Sequence, residues 1–215
     1  MNSSELKKFD KRYTAVTLSK DGKILVAGDE KGNLDIWNTE NMDQINKYSF
    51  PISDSPIYAI EFSPDNKLIA FGNENGVVQI GDVNGSDIFW NREILGQRSR
   101  INSIKFSPDG TLLATASLEG TVQLWLIDQV DKMLPIAFKD HDDFVWSIEF
   151  NATSDYLLVG TKDGILKLWP TKLDLMAQDI CQYLFRNMNS MEWDRYVGSD
   201  IDYVNTCEKA GVIPF

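Results

Sequence analysis

One spacing constrains the fold of this chain more than any other feature. Trp37, Gly81, Trp125 and Trp169 are each 44 residues apart, and so are Gly32, Gly76, Gly120 and Gly164. Leu18, Phe62, Phe106 and Phe150 keep the same phase, as do Val16, Ile60, Ile104 and Ile148. A period of this length marks an array of similar supersecondary units.

Each unit reads as short strands between turns. The first run ends at Asp21-Gly22, Asp65-Asn66, Asp109-Gly110 or Ser154-Asp155, pairs that supply the local hydrogen bonds and positive φ of tight hairpins. The second run (ILVAG, LIAFG, LLATA, YLLVG) is almost wholly apolar, as a strand covered on both faces should be. The third alternates, as in Thr121-Val122-Gln123-Leu124-Trp125. A fourth run lies at 45–50, 88–95 and 133–138, and the last unit has none of its own. The expectation is an all-β chain of four four-stranded antiparallel sheets, packed as propeller blades. Their bounds are about 9–50, 51–96, 97–138 and 139–170, with the last strand supplied by the N-terminal segment SELKKFDK.

The segment Phe106-Ser107-Pro108-Asp109-Gly110, with Leu112 to Ser117 and Gly120 to Trp125, resembles the WD40 family. Asp140-His141 stands where that family carries Gly-His, and the terminal Asp is replaced in Trp37-Asn38, Trp125-Leu126 and Trp169-Pro170. The resemblance covers about 9–170. It implies a structural hydrogen-bond network of His141, Thr161, Asp163 and Trp169 in the fourth blade. A His–Asp pair beside a hydroxyl also suits nucleophilic catalysis, but the same slots in blade three hold Gln97, Ser117 and Glu119. The network therefore reads as structural, with no catalytic residue.

Composition narrows the partners. At 43% hydrophobic and 11% aromatic residues, the chain can bury a real core. A net charge of −11 argues against nucleic acid or anionic membrane and for a protein partner of basic or mixed charge. One His and two distant Cys give no metal-ligand spacing, so neither a metal nor a cofactor is expected. The N-terminus lacks an apolar signal-peptide core. Cys181 and Cys207 lie outside the repeats and read as small apolar packing residues in a reducing cytoplasm.

Beyond Pro170 the character changes. Residues 172–188 place Leu173, Met176, Ile180 and Leu184 on one helical stripe, and Ser190 precedes a second short helical pattern. The segment 171–215 is expected to form a helical clasp on the last blade. Trp169-Pro170-Thr171, Ile180-Cys181, Arg186-Asn187-Met188 and Glu192-Trp193 resemble the end of large bacterial WD40 proteins, many with an upstream NTPase or caspase-like effector.

The repeat, the acidic balance and the lack of catalytic chemistry point to a non-enzymatic binding or sensing module, expected in a prokaryotic signalling or defence protein. The competing readings are a structural domain that oligomerises an upstream effector, and a propeller enzyme. The candidate partner face comprises Tyr58, Arg100, Asn102, Phe144 and Trp146; Tyr58, Asn102 and Trp146 share one phase position. Four blades suggest three arrangements: a dimer completing an eight-bladed ring, the remainder of a larger propeller, or a closed four-bladed ring. An unpaired half would expose apolar blade faces.

Overall fold

The computed structural model describes residues 10–39, 48–85, 87–95, 97–130, 134–139, 143–183, 187, 189–191 and 207. The chain forms two compact units, Met1–Leu168 and Trp169–Phe215. Blade one holds β1 (Tyr13–Leu18), β2 (Ile24–Asp29), β3 (Asn33–Asn38) and β4 (Tyr48–Pro51). Blade two holds β5 (Ile57–Phe62), β6 (Leu68–Asn73), β7 (Val77–Asn84) and β8 (Asp87–Leu95). Blade three holds β9 (Ile101–Phe106), β10 (Leu112–Ser117), β11 (Val122–Leu126) and β12 (Ile136–Phe138). In blade four, β13 (Val145–Phe150), β14 (Tyr156–Thr161) and β15 (Leu166–Pro170) form a sheet of three strands among the described residues. Of residues 4–11, expected to add the fourth, 4–9 lie outside the described residues, and Asp10 and Lys11 are not in a strand. Each sheet is an antiparallel meander.

The 44-residue phase survives as register. Leu25, Ile69 and Leu113 pair with Trp37, Gly81 and Trp125. On the other edge of the second strand, Leu25, Ile69, Leu113 and Leu157 pair with Leu18, Phe62, Phe106 and Phe150. The same sequence position therefore sits at the same sheet position in every blade. Between blades lies the core. Ile24, Val26, Leu34 and Ile36 of blade one meet Ile57, Ile60, Phe62, Ile69 and Phe71 of blade two. Val78 and Ile80 of blade two likewise meet Ile101, Ile104, Phe106 and Leu113 of blade three. Each such side chain, once buried, contributes about 1.5–3 kcal/mol.

Blade two departs from the series because Gly81 replaces the tryptophan. The space is filled from the outer strand. Trp90 of β8 reaches it and meets Phe71 edge-on at 5.1 Å. The β7–β8 register shifts between Ile80 and Gly81, which lets the ring swing inward.

The tight turns also join neighbours. Ser19, Ser63 and Ser107 donate to Asp21, Asp65 and Asp109 at 2.6–2.7 Å. The next turn position is Gly22 and Gly110 in blades one and three, and Asn66 and Ser154 in blades two and four, all at positive φ. Left-handed backbone costs a non-glycine residue about 1 kcal/mol. Here the side chains offset it: the Lys20 N–H donates to Asn66 at 2.7 Å and the Asp109 N–H to Ser154 Oγ at 3.2 Å. Each tie crosses from one blade to the next.

In the second unit, α1 spans Leu173–Tyr183, close to the expected helix. The expected apolar stripe is not uniformly covered: Leu173 is exposed and Met176 half-buried. The side chains of Ile180 and Leu184 lie outside the description. Ser190 and Met191 are already helical, so Asn189, and not Ser190, stands before that helix; its continuation lies outside the described residues.

The cysteines require a correction. Cys181 and Cys207 are joined by a disulfide, not packed as free apolar thiols. Asn187 binds the backbone of Cys207, donating to its carbonyl and accepting from its N–H, both at 2.9 Å. Closing a loop of 26 residues stabilises by about 3–4 kcal/mol through the unfolded chain's entropy. Intact mass after alkylation in denaturant without reductant is expected to show no added label. Cys207→Ser is expected to cost the tail about 3 kcal/mol, read as faster proteolysis beyond Pro170.

Candidate functional site

The site is made by a defect repeated four times. The first strand of every blade carries a bulge at its start. Pairing runs Tyr13↔Asp29 then Ala15↔Gly28, and Ile57↔Asn73 then Ala59↔Gly72. It runs Ile101↔Ser117 then Ser103↔Ala116, and Val145↔Thr161 then Ser147↔Gly160. Thr14, Tyr58, Asn102 and Trp146 are the skipped residues. A bulge frees one residue from the ladder and re-aims its side chain, so one phase position per blade is turned out to a common rim.

These residues then connect across blades. Arg100 lies over the Tyr58 ring at 4.4 Å, and its Nε donates to Asn102 Oδ1 at 2.9 Å. Asn102 Nδ2 donates to the Val145 carbonyl at 2.9 Å. Thr14 makes the equivalent bond to the Ile57 carbonyl. The rim thus joins blades one to two and three to four through side-chain donors. At the next position, Lys162 stands over the Phe144 ring at 4.8 Å. Phe144 and Trp146 remain 40% and 50% exposed. The five candidate residues are brought into one neighbourhood. Lys162 belongs with them, and its sequence signal was weak, because it lies on the turn after β14 and meets Phe144 only in the fold. Asn102 is a tie between blades as much as a surface residue.

A second cluster was not foreseen. Lys11 Nζ bonds both carboxylate oxygens of buried Asp35 at 2.9 and 3.0 Å, and the Tyr13 hydroxyl donates to the same group. Burial, with Asp35 beside it, pushes the Tyr13 phenol up, so it stays a donor. Burial works to raise the Asp29 carboxyl, but Asn33, the backbone N–H groups of Asn33 and Lys31, and the Lys11 charge hold it below its ordinary value. These contacts lock β1 to β3 within blade one.

Of the expected fourth-blade network, Thr161 donates to Asp163 and to the Ile165 carbonyl, the latter at 3.1 Å. That hydrogen bond holds the exposed Asp163 carboxyl below its usual range. Trp169 is half-buried on β15, and His141 lies outside the described residues. In blade three, buried Gln97 donates to the Thr115 and Thr121 carbonyls at 3.3 and 3.1 Å, and Trp125 Nε1 to Thr115 Oγ1 at 3.3 Å. There the tryptophan's partner is Thr115, two residues before Ser117 on the same strand, β10. No group of three or more His, Cys, Asp or Glu side chains able to hold a metal occurs among the described residues. No helix among them is long and apolar enough to cross a membrane.

Comparison with known proteins agrees with this architecture. The model of the family described as WD domain, G-beta repeat matches residues 45–82, 91–125 and 133–170. Each match begins in or before an outer strand and ends at the tryptophan phase position or just after it. No curated protein sequence matches. Among solved structures, a chain of the "Crystal Structure of Mitotic Checkpoint Complex" is similar in fold, with a TM-score of 0.68 at 20% identity. The likeness covers 78% of this chain and 51% of that one, so this chain spans about half of its neighbour's length. On the extent of the family match, the chain belongs to the WD40 family of G-beta repeat proteins.

Proposed function

We propose that this chain is a non-enzymatic protein-binding module that recognises a peptide segment at the bulge rim. The observation that carries it is the Tyr58–Arg100–Asn102 connection beside the exposed aromatic pair Phe144 and Trp146. Rigid aromatics and arginine on a fixed scaffold are the residue types that dominate binding energy at interfaces. Arg100 and Lys162 place two cations against rim aromatics on a chain of net charge −11, so a partner of mixed charge fits both. The resemblance of the tail supports a prokaryotic signalling or defence setting. A cytoplasmic location rests on the sequence alone, and the Cys181–Cys207 disulfide counts against it, since such bonds persist in oxidising compartments. The second reading, an assembly domain for an upstream effector, is favoured by the exposed apolar side chains of Val16, Leu18, Leu166 and Leu168.

Selection from a displayed library of random peptides tests the proposal. Selected peptides are expected to bind the parent and to lose at least tenfold in affinity with Arg100→Ala or Trp146→Ala, at unchanged unfolding midpoints. Peptides that bind those variants as well as the parent would place recognition elsewhere.

A further inference from the structure

Arg100 is held so that one edge of its guanidinium is left without a partner. The Tyr58 ring of blade two lies under the group at 4.4 Å, and an aromatic face attracts a cation without engaging its in-plane N–H groups. Asn102 Oδ1 accepts the Nε–H at 2.9 Å. Asn102 is fixed in turn, because its Nδ2 donates to the Val145 carbonyl at 2.9 Å. Ring and amide therefore set the plane and the direction of the guanidinium before a ligand arrives. Arginine also carries donors on its two terminal nitrogens, and in Arg100 these make no hydrogen bond or ion pair among the described residues.

Three other half-buried cations, Lys11, Arg92 and Lys105, each meet a carboxylate, at 2.9, 2.8 and 3.3 Å. A cation drawn partly out of water loses hydration that an anion can replace, and half-buried Arg100 meets none. An acid is close in the chain but points elsewhere. The Leu118 N–H donates to the Arg100 carbonyl at 3.0 Å, while the neighbouring Glu119 carboxylate accepts the Arg98 N–H at 3.3 Å. The bare edge does not depend on where the array stops. Arg100 stands between blades two and three, and each of these has a blade packed on both sides of its first strand.

We infer that this edge receives the side-chain carboxylate of an acidic residue in the bound segment, so that the rim selects partners by an internal aspartate or glutamate. The inference rests on the peptide-binding reading of the rim and names what the peptide must carry. A carboxylate presents two oxygens in one plane, which match two parallel N–H donors of a guanidinium. Because Tyr58 and Asn102 already orient the donors, little side-chain freedom remains to be lost on binding. Charge complementarity favours a single negative charge. A phosphate brings close to two, and the second is repelled by a chain of net charge −11.

The test uses synthetic peptide pools, acetylated and amidated at their ends and randomised over uncharged residues. The central position is fixed as Glu, Asp, Gln, Asn, Lys or phosphoserine, and binding to the full chain is read by fluorescence anisotropy. The Glu or the Asp pool is expected to bind at least tenfold tighter than its amide counterpart. Arg100→Gln should bring that ratio close to one, and Arg100→Glu should turn the preference toward the Lys pool. The ratio between isosteric pools is the readout because a variant that merely loosened the blades would weaken both alike. Tightest binding by the phosphoserine pool would overturn the inference, as would a Gln pool with a free C-terminal carboxylate that matches the Glu pool. A preference for Glu that persists in Arg100→Gln would overturn it too. Equal Glu and Gln pools that still lose affinity with Trp146→Ala would overturn it and leave the rim reading standing. Binding indifferent to both Arg100→Gln and Trp146→Ala, or no binding by any pool, would overturn the two together.

Discussion

Gly32→Ala is expected to destabilise the first unit by at least about 3 kcal/mol, while Gly164→Ala at the same repeat position costs about 1–2 kcal/mol. Both glycines sit at positive φ, +79° and +85°, so both substitutions carry the left-handed penalty. Only Gly32 is also crowded. A Cβ there would lie 2.0 Å from the Ser53 carbonyl oxygen, on the segment that leads into blade two. A backbone carbonyl cannot step aside without moving the blade it introduces. Gly76, 2.3 Å from the Gln97 carbonyl oxygen, belongs with Gly32. Gly164 closes the last blade and has nothing within 4 Å. Urea unfolding of the variants at equal chain concentration measures the difference. Equal costs at Gly32 and Gly164 would mean that the turn conformation alone sets the requirement for glycine.

The second large effect lies in blade two. Trp90→Ala is expected to cost about 3 kcal/mol, because it empties the space that Gly81 leaves beside Phe71. Restoring the repeat's own residue with Gly81→Trp is expected to destabilise as well, by about 1–3 kcal/mol. A Cβ at Gly81 would already lie 2.7 Å from Ile88 and 3.0 Å from the Trp90 ring. The double variant Gly81→Trp/Trp90→Ala should then be less destabilised than the sum of the two, since one indole replaces the other. Additive losses in the double-mutant cycle would show that Trp90 does not stand in for the missing tryptophan.

The reading of Trp90 shows where sequence and structure part. Periodicity identified the hole at Gly81, because a missing member of a series is visible in the series. It could not identify the substitute, which comes from the most variable strand and reaches the hole only through a register shift in β8. The candidate rim has the same history. Tyr58, Asn102 and Trp146 share a phase, so their common position was legible. The bulge that turns them outward, and the placement of Arg100 between Tyr58 and Asn102, depend on pairing that period-two patterning does not encode. The Lys11–Asp35 contact and the disulfide between Cys181 and Cys207 were missed for a related reason. Both join residues more than twenty positions apart that carry no repeat signal.

By itself, the sequence determined the blade. A 44-residue phase, apolar middle strands and Asp-Gly or Asp-Asn turns dictate a local meander, since strand pairing between neighbours is set by short turns and by which face is apolar. The tertiary structure decided what each copy of a repeated residue does. Glycines in one phase are crowded at Gly32 and Gly76 and open at Gly164. Leucines and isoleucines in one phase are core at Leu34 and Ile36 and bare at Leu166 and Leu168. The physical reason is that burial belongs to a pair of surfaces: the chain writes each face, but a neighbouring blade must be present before that face becomes core.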